Sequence, residues 1–202
     1  MSAHAKQDAR ASQRPEVPQV PKAPQPFVTP ARWAEAQLPQ LNTLLLEQAH
    51  LEKKAAAFAV AFLFRLPMHT SLHRQLSALG REELVHFERS IKLLDQRGIA
   101  FEPLVASGYA NEMKKAVRRD LAGRLADELL VASIMAVATR ESEPEVSRFY
   151  ADLCPAEERH EQLYLDLATL VVDAETARSR HAELVEHERR VLGELPFQNR
   201  LH

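Results

Sequence analysis

The sequence has few of the residues that β-rich or mixed folds use. Among its 202 residues only five are glycines and 6% are aromatic, whereas hydrophobic side chains reach 46%. Alanine, leucine, glutamate and arginine, which favour helices, make up much of the chain. The composition therefore predicts an all-α protein with enough apolar side chains for a single core.

Other scarcities narrow the class of protein. The single cysteine, Cys154, excludes an internal disulfide and favours a reducing compartment, so we expect a cytoplasmic location. No apolar run approaches the roughly 20 residues of a membrane span, and the N-terminus lacks the apolar block of a signal peptide. Because the net charge is only -2, we expect neither a membrane nor a DNA partner, and an RNA partner would need a local basic patch.

Proline divides the chain into a tail and one domain. Residues 1–30 are rich in proline, alanine and glutamine, which block helices and leave little to bury, so this segment is predicted to be disordered. The domain is predicted over residues 31–202. It should begin with a short amphipathic helix at 31–36, where Trp33 docks on the bundle.

Four long helices are expected in the domain. Apolar residues recur at helical spacing from 40 to 66, where Pro67 stops the first helix, and the second runs from about Thr70 to Gly98. A connection over 99–111 leads to a third helix at 112–142, with an interruption near Gly123, and Pro144 starts a fourth that ends near 172. An outer helix should cover 174–192. Two hairpins joined by a crossover predict a ferritin-like four-helix bundle with additional short terminal helices, a connectivity that also suits bundles without a cofactor.

The pattern Glu-x-x-His occurs on two of these helices. Glu83 and His86 lie on the second, Glu157 and His160 on the fourth, and residues three apart on a helix share one face. Each pair can offer a carboxylate and an imidazole to one metal ion. The motif alone is weak, because Glu47 to His50 is a third copy, which we interpret as surface or as lying behind the ligands.

The position of the turns selects further ligands. Level residues of an antiparallel hairpin are equidistant from its turn, so Glu83 is level with Glu52 across Pro67. By the same test Glu157 is level with Glu128 across the turn before Pro144. The predicted ligands, whose donors suit iron or manganese, are Glu52, Glu83, His86, Glu128, Glu157 and His160.

The remaining candidates have simpler interpretations. The other histidines at turns or on the outer helix are expected to face water: His69, His73, His181 and His187. Cys154 is expected to be a packed thiol, and Pro155 should kink the fourth helix just before Glu157.

Several segments together resemble one known family, the tRNA 2-methylthio-N6-isopentenyladenosine hydroxylases, or MiaE family. The similar segments are Leu51-Glu52-Lys53-Lys54-Ala55-Ala56, Arg81-Glu82-Glu83-Leu84-Val85-His86-Phe87-Glu88, Gln96-Arg97-Gly98-Ile99, Ser107-Gly108-Tyr109-Ala110, Glu157-Glu158-Arg159-His160 with Tyr164, and Phe197-Gln198-Asn199-Arg200-Leu201-His202. The resemblance covers about residues 40 to 202. It implies a non-haem di-iron monooxygenase with two iron ions, dioxygen as co-substrate, tRNA as partner and an external electron donor.

One segment departs from that family. In members of the family, the third helix usually reads Glu-Ala-Arg-Ser-Cys-Glu-Arg around its metal ligand. This sequence has no such stretch. When this sequence is aligned with the family on Asp127-Glu128-Leu129-Leu130-Val131, the ligand position falls on Ala136. An alanine there would cripple the site. When it is aligned backwards from Arg148-Phe149-Tyr150, the ligand position falls on Glu128. We prefer this alignment because the position of the turn before Pro144 also selects Glu128.

A cluster of basic residues is the candidate contact with RNA. It comprises Lys114, Lys115, Arg118, Arg119 and Arg124, which can line one helix face and meet phosphates. An ordinary solvated face is the simpler interpretation.

Two other functions of the protein stay open: a di-iron oxidase of another substrate, and a degenerate bundle that binds RNA or protein without catalysis.

Overall fold

The computed structural model describes residues 38–66, 70–105, 108–135 and 144–195. Within these ranges a short 3₁₀ turn at Leu38–Gln40 precedes six helices, and no strand occurs. The helices are α1 Leu41–Arg65, α2 Thr70–Gln96, α3 Gly108–Lys115, α4 Leu121–Met135, α5 Pro144–Ala168 and α6 Ala174–Glu194. The predicted tail, the helix at 31–36 with Trp33, and His69 lie outside the described residues.

The ends of the first two helices follow the stop signals in the sequence. Leu66, directly before Pro67, has extended backbone angles (φ −89°, ψ 114°), as a residue before proline prefers. At the other end of α2, Gly98 has a φ of 67°. The N–H of Ile99 donates to the carbonyl of Leu94 and that of Gly98 to the carbonyl of Asp95, which together close the helix with a left-handed glycine.

The predicted third helix is divided into two, α3 and α4. The break covers residues 116–120, a few positions before the interruption that was predicted near Gly123. Asp120 caps α4, because its Oδ1 accepts from the Gly123 N–H at 2.7 Å. The fully buried Asp127 accepts from the Arg118 N–H at 2.8 Å and from the Arg118 and Arg180 guanidinium groups. These hydrogen bonds stabilise the segment between α3 and α4 and link α6 to α4.

The long helices pack as two hairpins. α1 packs on α2 and α4 on α5, while α6 contacts α3, α4 and α5. α1 and α2 are antiparallel, since His73 near the start of α2 contacts Leu66 while Glu83 further along lies near Glu52. Among the described residues, we find no helix that could span a lipid bilayer.

Two apolar clusters fill the interior, with a polar layer between them. The large apolar cluster includes Phe62, Leu76, Leu129, Leu130, Tyr164, Leu165 and Leu184. The small apolar cluster includes Leu41, Leu45, Leu93, Leu94, Val146, Phe149 and Leu153. Along α1, α2 and α5 the positions between the clusters hold buried acids and histidines, and this layer is the candidate site.

Candidate metal centre

Three of the predicted ligands come from the α1–α2 hairpin. Glu52, Glu83 and His86 are 3%, 2% and 4% exposed, so all three side chains are inside the bundle. The His86 Nδ1 atom lies 3.3 Å from Glu83 Oε2 and 3.7 Å from Glu52 Oε2. The antiparallel pairing of α1 and α2 therefore brings Glu52 level with the Glu83 motif, as the turn position predicted.

α5 supplies the second Glu-x-x-His pair. His160 Nδ1 lies 3.0 Å from Glu83 Oε1 and 3.6 Å from Glu157 Oε2. Glu157 Oε1 is also 3.8 Å from His86 Nδ1, and the two imidazole rings are 5.9 Å apart. One ligand atom from each of Glu52, Glu83, His86 and Glu157 falls within 4.8 Å of the others. The structure thus brings five of the six predicted ligands into one layer.

Burial and mutual contact shift the acid–base behaviour of this layer. Burial raises the pKa of Glu52 to about 7, and the neighbouring Glu83 and Glu157 carboxylates act in the same direction. Burial opposes ionisation of Glu83 too, but contact with His160 and His86 outweighs it and lowers the Glu83 pKa. The carboxylates in turn raise the pKa of His86 to about 9 and that of His160 to about 10, against the effect of burial. The negative charge of the layer therefore favours positive charge at the imidazoles.

The donor set fits metal ions. His160 Nδ1 is buried and makes no hydrogen bond, although a carboxylate oxygen lies 3.0 Å away. A nitrogen lone pair directed at a cation between the carboxylates would satisfy this atom, since such a cation takes the place of the proton. Three carboxylates and two imidazoles are oxygen and nitrogen donors of the kind that iron and manganese accept. The layer is therefore a candidate metal centre.

Glu128, the sixth predicted ligand, is not brought into the layer. Its carboxylate is ion-paired with Arg65 and, at 2.9 Å, with Arg124. The next residue, Leu129, packs in the large apolar cluster, so this part of α4 lies beside that cluster rather than beside the polar layer. The turn test placed Glu128 by counting residues alone. Its role as a ligand stays a prediction.

Sequence reasoning missed the residues that support the ligands. Gln48 donates from Nε2 to Glu52 Oε1 at 2.6 Å, and Glu82 Oε2 lies 3.2 Å from His160 Nε2. Glu47 is buried, whereas the His50 Nε2 contacts the carbonyl of Glu102. The available signals were polar residues close to the predicted ligands in the sequence. Glu82 directly precedes Glu83, and Gln48 lies one helical turn before Glu52.

The other histidines behave differently from one another. His181 was expected to face water, and this is wrong: it is 3% exposed, and burial lowers its pKa to about 4. α6 lies against the large apolar cluster with Leu184 and Val185, and His181 is on that face. His73 and His187 are half-buried and contact the backbone carbonyls of Leu66 and Glu112. Cys154 is half-buried.

The predicted RNA-binding residues are distributed over the break between α3 and α4. Lys115 pairs with Glu112 at 2.6 Å, and Arg118 and Arg124 pair with Asp127 and Glu128. Lys114 and Arg119 are exposed, and neither forms an ion pair with any residue in the described ranges. A cavity of about 840 Å³ nearby is lined by basic and acidic side chains, among them Lys115, Arg180, Glu183, Glu186, His187 and Arg190.

Comparisons with known proteins agree with the fold and identify a family. A family model described as tRNA-(MS[2]IO[6]A)-hydroxylase (MiaE) matches residues 25–202. A Pseudomonas putida protein named tRNA 2-(methylsulfanyl)-N(6)-isopentenyladenosine(37) hydroxylase is 35% identical over 148 residues, covering 69% of this chain and 72% of the relative. A Salmonella typhimurium protein of the same name is 28% identical over 166 residues, covering 63% of this chain and 62% of the relative.

A solved structure is also similar. It is a Synechococcus protein described as having aldehyde deformylating oxygenase activity, with a TM-score of 0.77 and 31% identity. The similarity covers 85% of this chain and 91% of that one. The predicted all-α, ferritin-like bundle is thereby confirmed. By the family match and the identity to its curated relatives, the chain belongs to the MiaE tRNA hydroxylase family.

Proposed function

We propose that this protein is a cytoplasmic non-haem di-iron monooxygenase that hydroxylates the isopentenyl group of 2-methylthio-N6-isopentenyladenosine in tRNA. The observation that carries the proposal is the buried layer of three carboxylates and two imidazoles at the positions where α1, α2 and α5 meet. Family membership and the names of the two relatives support the choice of substrate.

The five side chains would hold two ions. Glu52 and His86 would hold one iron, and Glu157 and His160 the other. Glu83 would contribute to both sites, because its two oxygens lie 3.3 Å from His86 Nδ1 and 3.0 Å from His160 Nδ1. When bound, the iron pair would supply the electrons that activate dioxygen, and an external donor would return them.

The surroundings of the layer suit an oxidation that must exclude water. The large and small apolar clusters close it at both ends along the bundle. Four of the five ligand side chains are 3% to 5% exposed, whereas that of Glu157 is 23% exposed. The substrate would therefore approach from the Glu157 side, where Glu157 can orient the reacting group while the other ligands stay buried.

A second candidate function follows from Glu128. Because this carboxylate is held by two arginines, the described part of α4 contributes no acid to the layer. A bundle that binds one ion weakly, or none, would keep the family fold without its chemistry. The Synechococcus structure favours a different alternative, a di-iron oxygenase that acts on a smaller substrate.

Iron content and activity together test the proposal. Protein reconstituted anaerobically with Fe(II) should bind about two irons per chain and, with a reductant and dioxygen, hydroxylate tRNA that carries the unhydroxylated nucleoside. Glu83→Ala should lose both irons and the activity, since Glu83 contacts both imidazoles. Glu88→Ala is the matched control, because Glu88 is exposed on the same helix.

The outcomes separate the candidates. Wild-type protein with no specific iron would refute the monooxygenase and leave the non-catalytic bundle. Two irons without tRNA hydroxylation, but with oxidation of a small apolar compound, would support the alternative oxygenase.

A further inference from the structure

Two adjacent glutamates on α2 contact His160 from opposite sides of its ring. Glu83 Oε1 is 3.0 Å from Nδ1, and Glu82 Oε2 is 3.2 Å from Nε2. Neighbouring residues on a helix point about 100° apart. Glu83 therefore faces the polar layer, while Glu82 lies at the edge of the contact between α2 and α5, with its side chain 38% exposed.

The contact with Glu82 determines how the His160 ring is oriented. Glu82 Oε2 lies beside Nε2, where a carboxylate oxygen can accept a hydrogen bond from a ring N–H. The opposite ring atom, Nδ1, makes no hydrogen bond and faces Glu83 and Glu157.

Arg159 fixes Glu82 in turn. Its Nη2 donates to Glu82 Oε1 at 2.6 Å, and its Nη1 donates to the carbonyl of Pro155 at 2.8 Å. Both oxygens of Glu82 thus have partners on α5. Among the residues that the structure describes, such a carboxylate contacts the second ring nitrogen of His160 and not that of His86.

We propose that Glu82 is a positioning residue of the metal centre, which holds the His160 ring with Nε2 against Glu82 and Nδ1 directed at the metal. This inference rests on the proposed function and assigns Glu82 no direct contact with the metal. Carboxylates that hold a ligand histidine in this way typically change metal affinity by 10- to 100-fold. Because Glu82 acts on His160 alone, its loss should weaken one of the two iron sites.

Anaerobic Fe(II) titration of the full chain tests this, with wild type, Glu82→Ala, Glu82→Gln and the control Glu88→Ala. In Glu82→Ala one iron should bind as in wild type and the other about 10- to 100-fold more weakly. Glu82→Gln should lose less, because its amide oxygen can still accept from Nε2. The Mössbauer spectrum of the ferrous protein should change in one component only, and Glu88→Ala should match wild type.

The melting temperature of the metal-free protein separates positioning from a structural role. Glu82 is partly exposed, so metal-free Glu82→Ala should melt within a few degrees of wild type. Equal affinity of both irons in Glu82→Ala and wild type would overturn the inference and leave the proposed function intact. Loss of both irons with a much lower melting temperature would overturn it too, as would wild-type protein that binds no iron, which would also refute the proposed function.

Discussion

Glu128 on α4 is ion-paired with Arg65, the last residue of α1. Arg124, one turn before Glu128 on α4, pairs with the same carboxylate at 2.9 Å. All three side chains are partly exposed, the glutamate least at 18%. The pair therefore joins the end of α1 to α4, and the Glu128 carboxylate has its charge balanced without a metal.

Glu128→Ala tests whether Glu128 is a ligand: if its ion pairs with Arg65 and Arg124 persist when metal is bound, the iron content should be unchanged. Its pairs lie near the surface, where each contributes about 1 kcal/mol or less, so the variant should also fold normally. Iron per chain after anaerobic reconstitution is the measurement, with Glu52→Ala as the comparison that should lose iron. A fall in iron for Glu128→Ala would mean that Glu128 leaves both arginines to become a ligand.

Gly123→Ala should destabilise the protein although alanine normally favours a helix. A Cβ at this position would lie 2.5 Å and 2.8 Å from the carboxylate oxygens of Asp120 and 2.9 Å from Arg118 Nε. Asp120 would have to move and its cap on α4 would be lost, at a cost of about 1 kcal/mol or more.

Gly193→Ala is the matched control for that substitution. Gly193 lies in α6, and a Cβ there would meet nothing within 4 Å. The free energy of unfolding in urea should rise by up to about 1 kcal/mol for Gly193→Ala and fall for Gly123→Ala. Equal effects at both positions would contradict the capping role of Asp120.

His181 should make stability depend on pH below neutrality. Burial lowers its pKa from 6.5 to about 4 in the folded state, so between these values the unfolded chain takes up a proton that the folded protein does not. The contribution of neutral His181 is complete above pH 6.5 and is lost as the pH falls to about 4. At most about 3 kcal/mol of unfolding free energy is involved.

Urea unfolding at pH 7, 6 and 5 measures this dependence. His181→Gln should reduce the loss of stability between pH 7 and pH 5 relative to wild type. His187→Gln, which removes an imidazole from the same helix, is the matched control. An unchanged slope in His181→Gln would show that His181 takes up its proton without opening the fold.

Removal of Lys114 and Arg119 together should weaken tRNA binding. Both are exposed and without an ion pair in the described part of the chain, so both are available to phosphates. Each lost phosphate contact should reduce the slope of log affinity against log salt by roughly 1. Lys92→Ala is the control, because Lys92 is an exposed basic residue of α2 outside the predicted RNA-binding set. Iron content should be unchanged in all of these variants, and equal tRNA affinity would exclude this surface.

The parts of the fold that could be predicted are those with local causes. Pro67 and Pro144 mark helix ends because proline restricts its own backbone, and Gly98 marks one because glycine readily adopts a left-handed conformation. The structure places α1, α2 and α5 accordingly. The level of Glu52 with Glu83 was also predictable, since only the short connection at Pro67 separates their helices. The same counting placed Glu128 level with Glu157, and in the structure the Glu128 carboxylate pairs with Arg65 and Arg124.

Long-range partners could not be predicted from one sequence. Asp127 and Glu128 are adjacent acidic residues. Asp127 is fully buried and pairs with Arg118 and Arg180, whereas Glu128 stays near the surface. His181 looked like a polar residue on an outer helix, but the face that carries it covers the core. Helical periodicity shows that residues share a face and leaves open what that face contacts.

The separation of the ligands along the chain has a consequence for biosynthesis. Glu52, Glu83 and His86 leave the ribosome early, within a hairpin whose contacts are local, whereas Glu157 and His160 follow much later on α5. Contacts between segments so far apart form late, because a large loop must close first. The nascent chain therefore first carries only three of the five candidate ligand residues. An ion that needs all five residues can bind only after α5 has been synthesised and has docked.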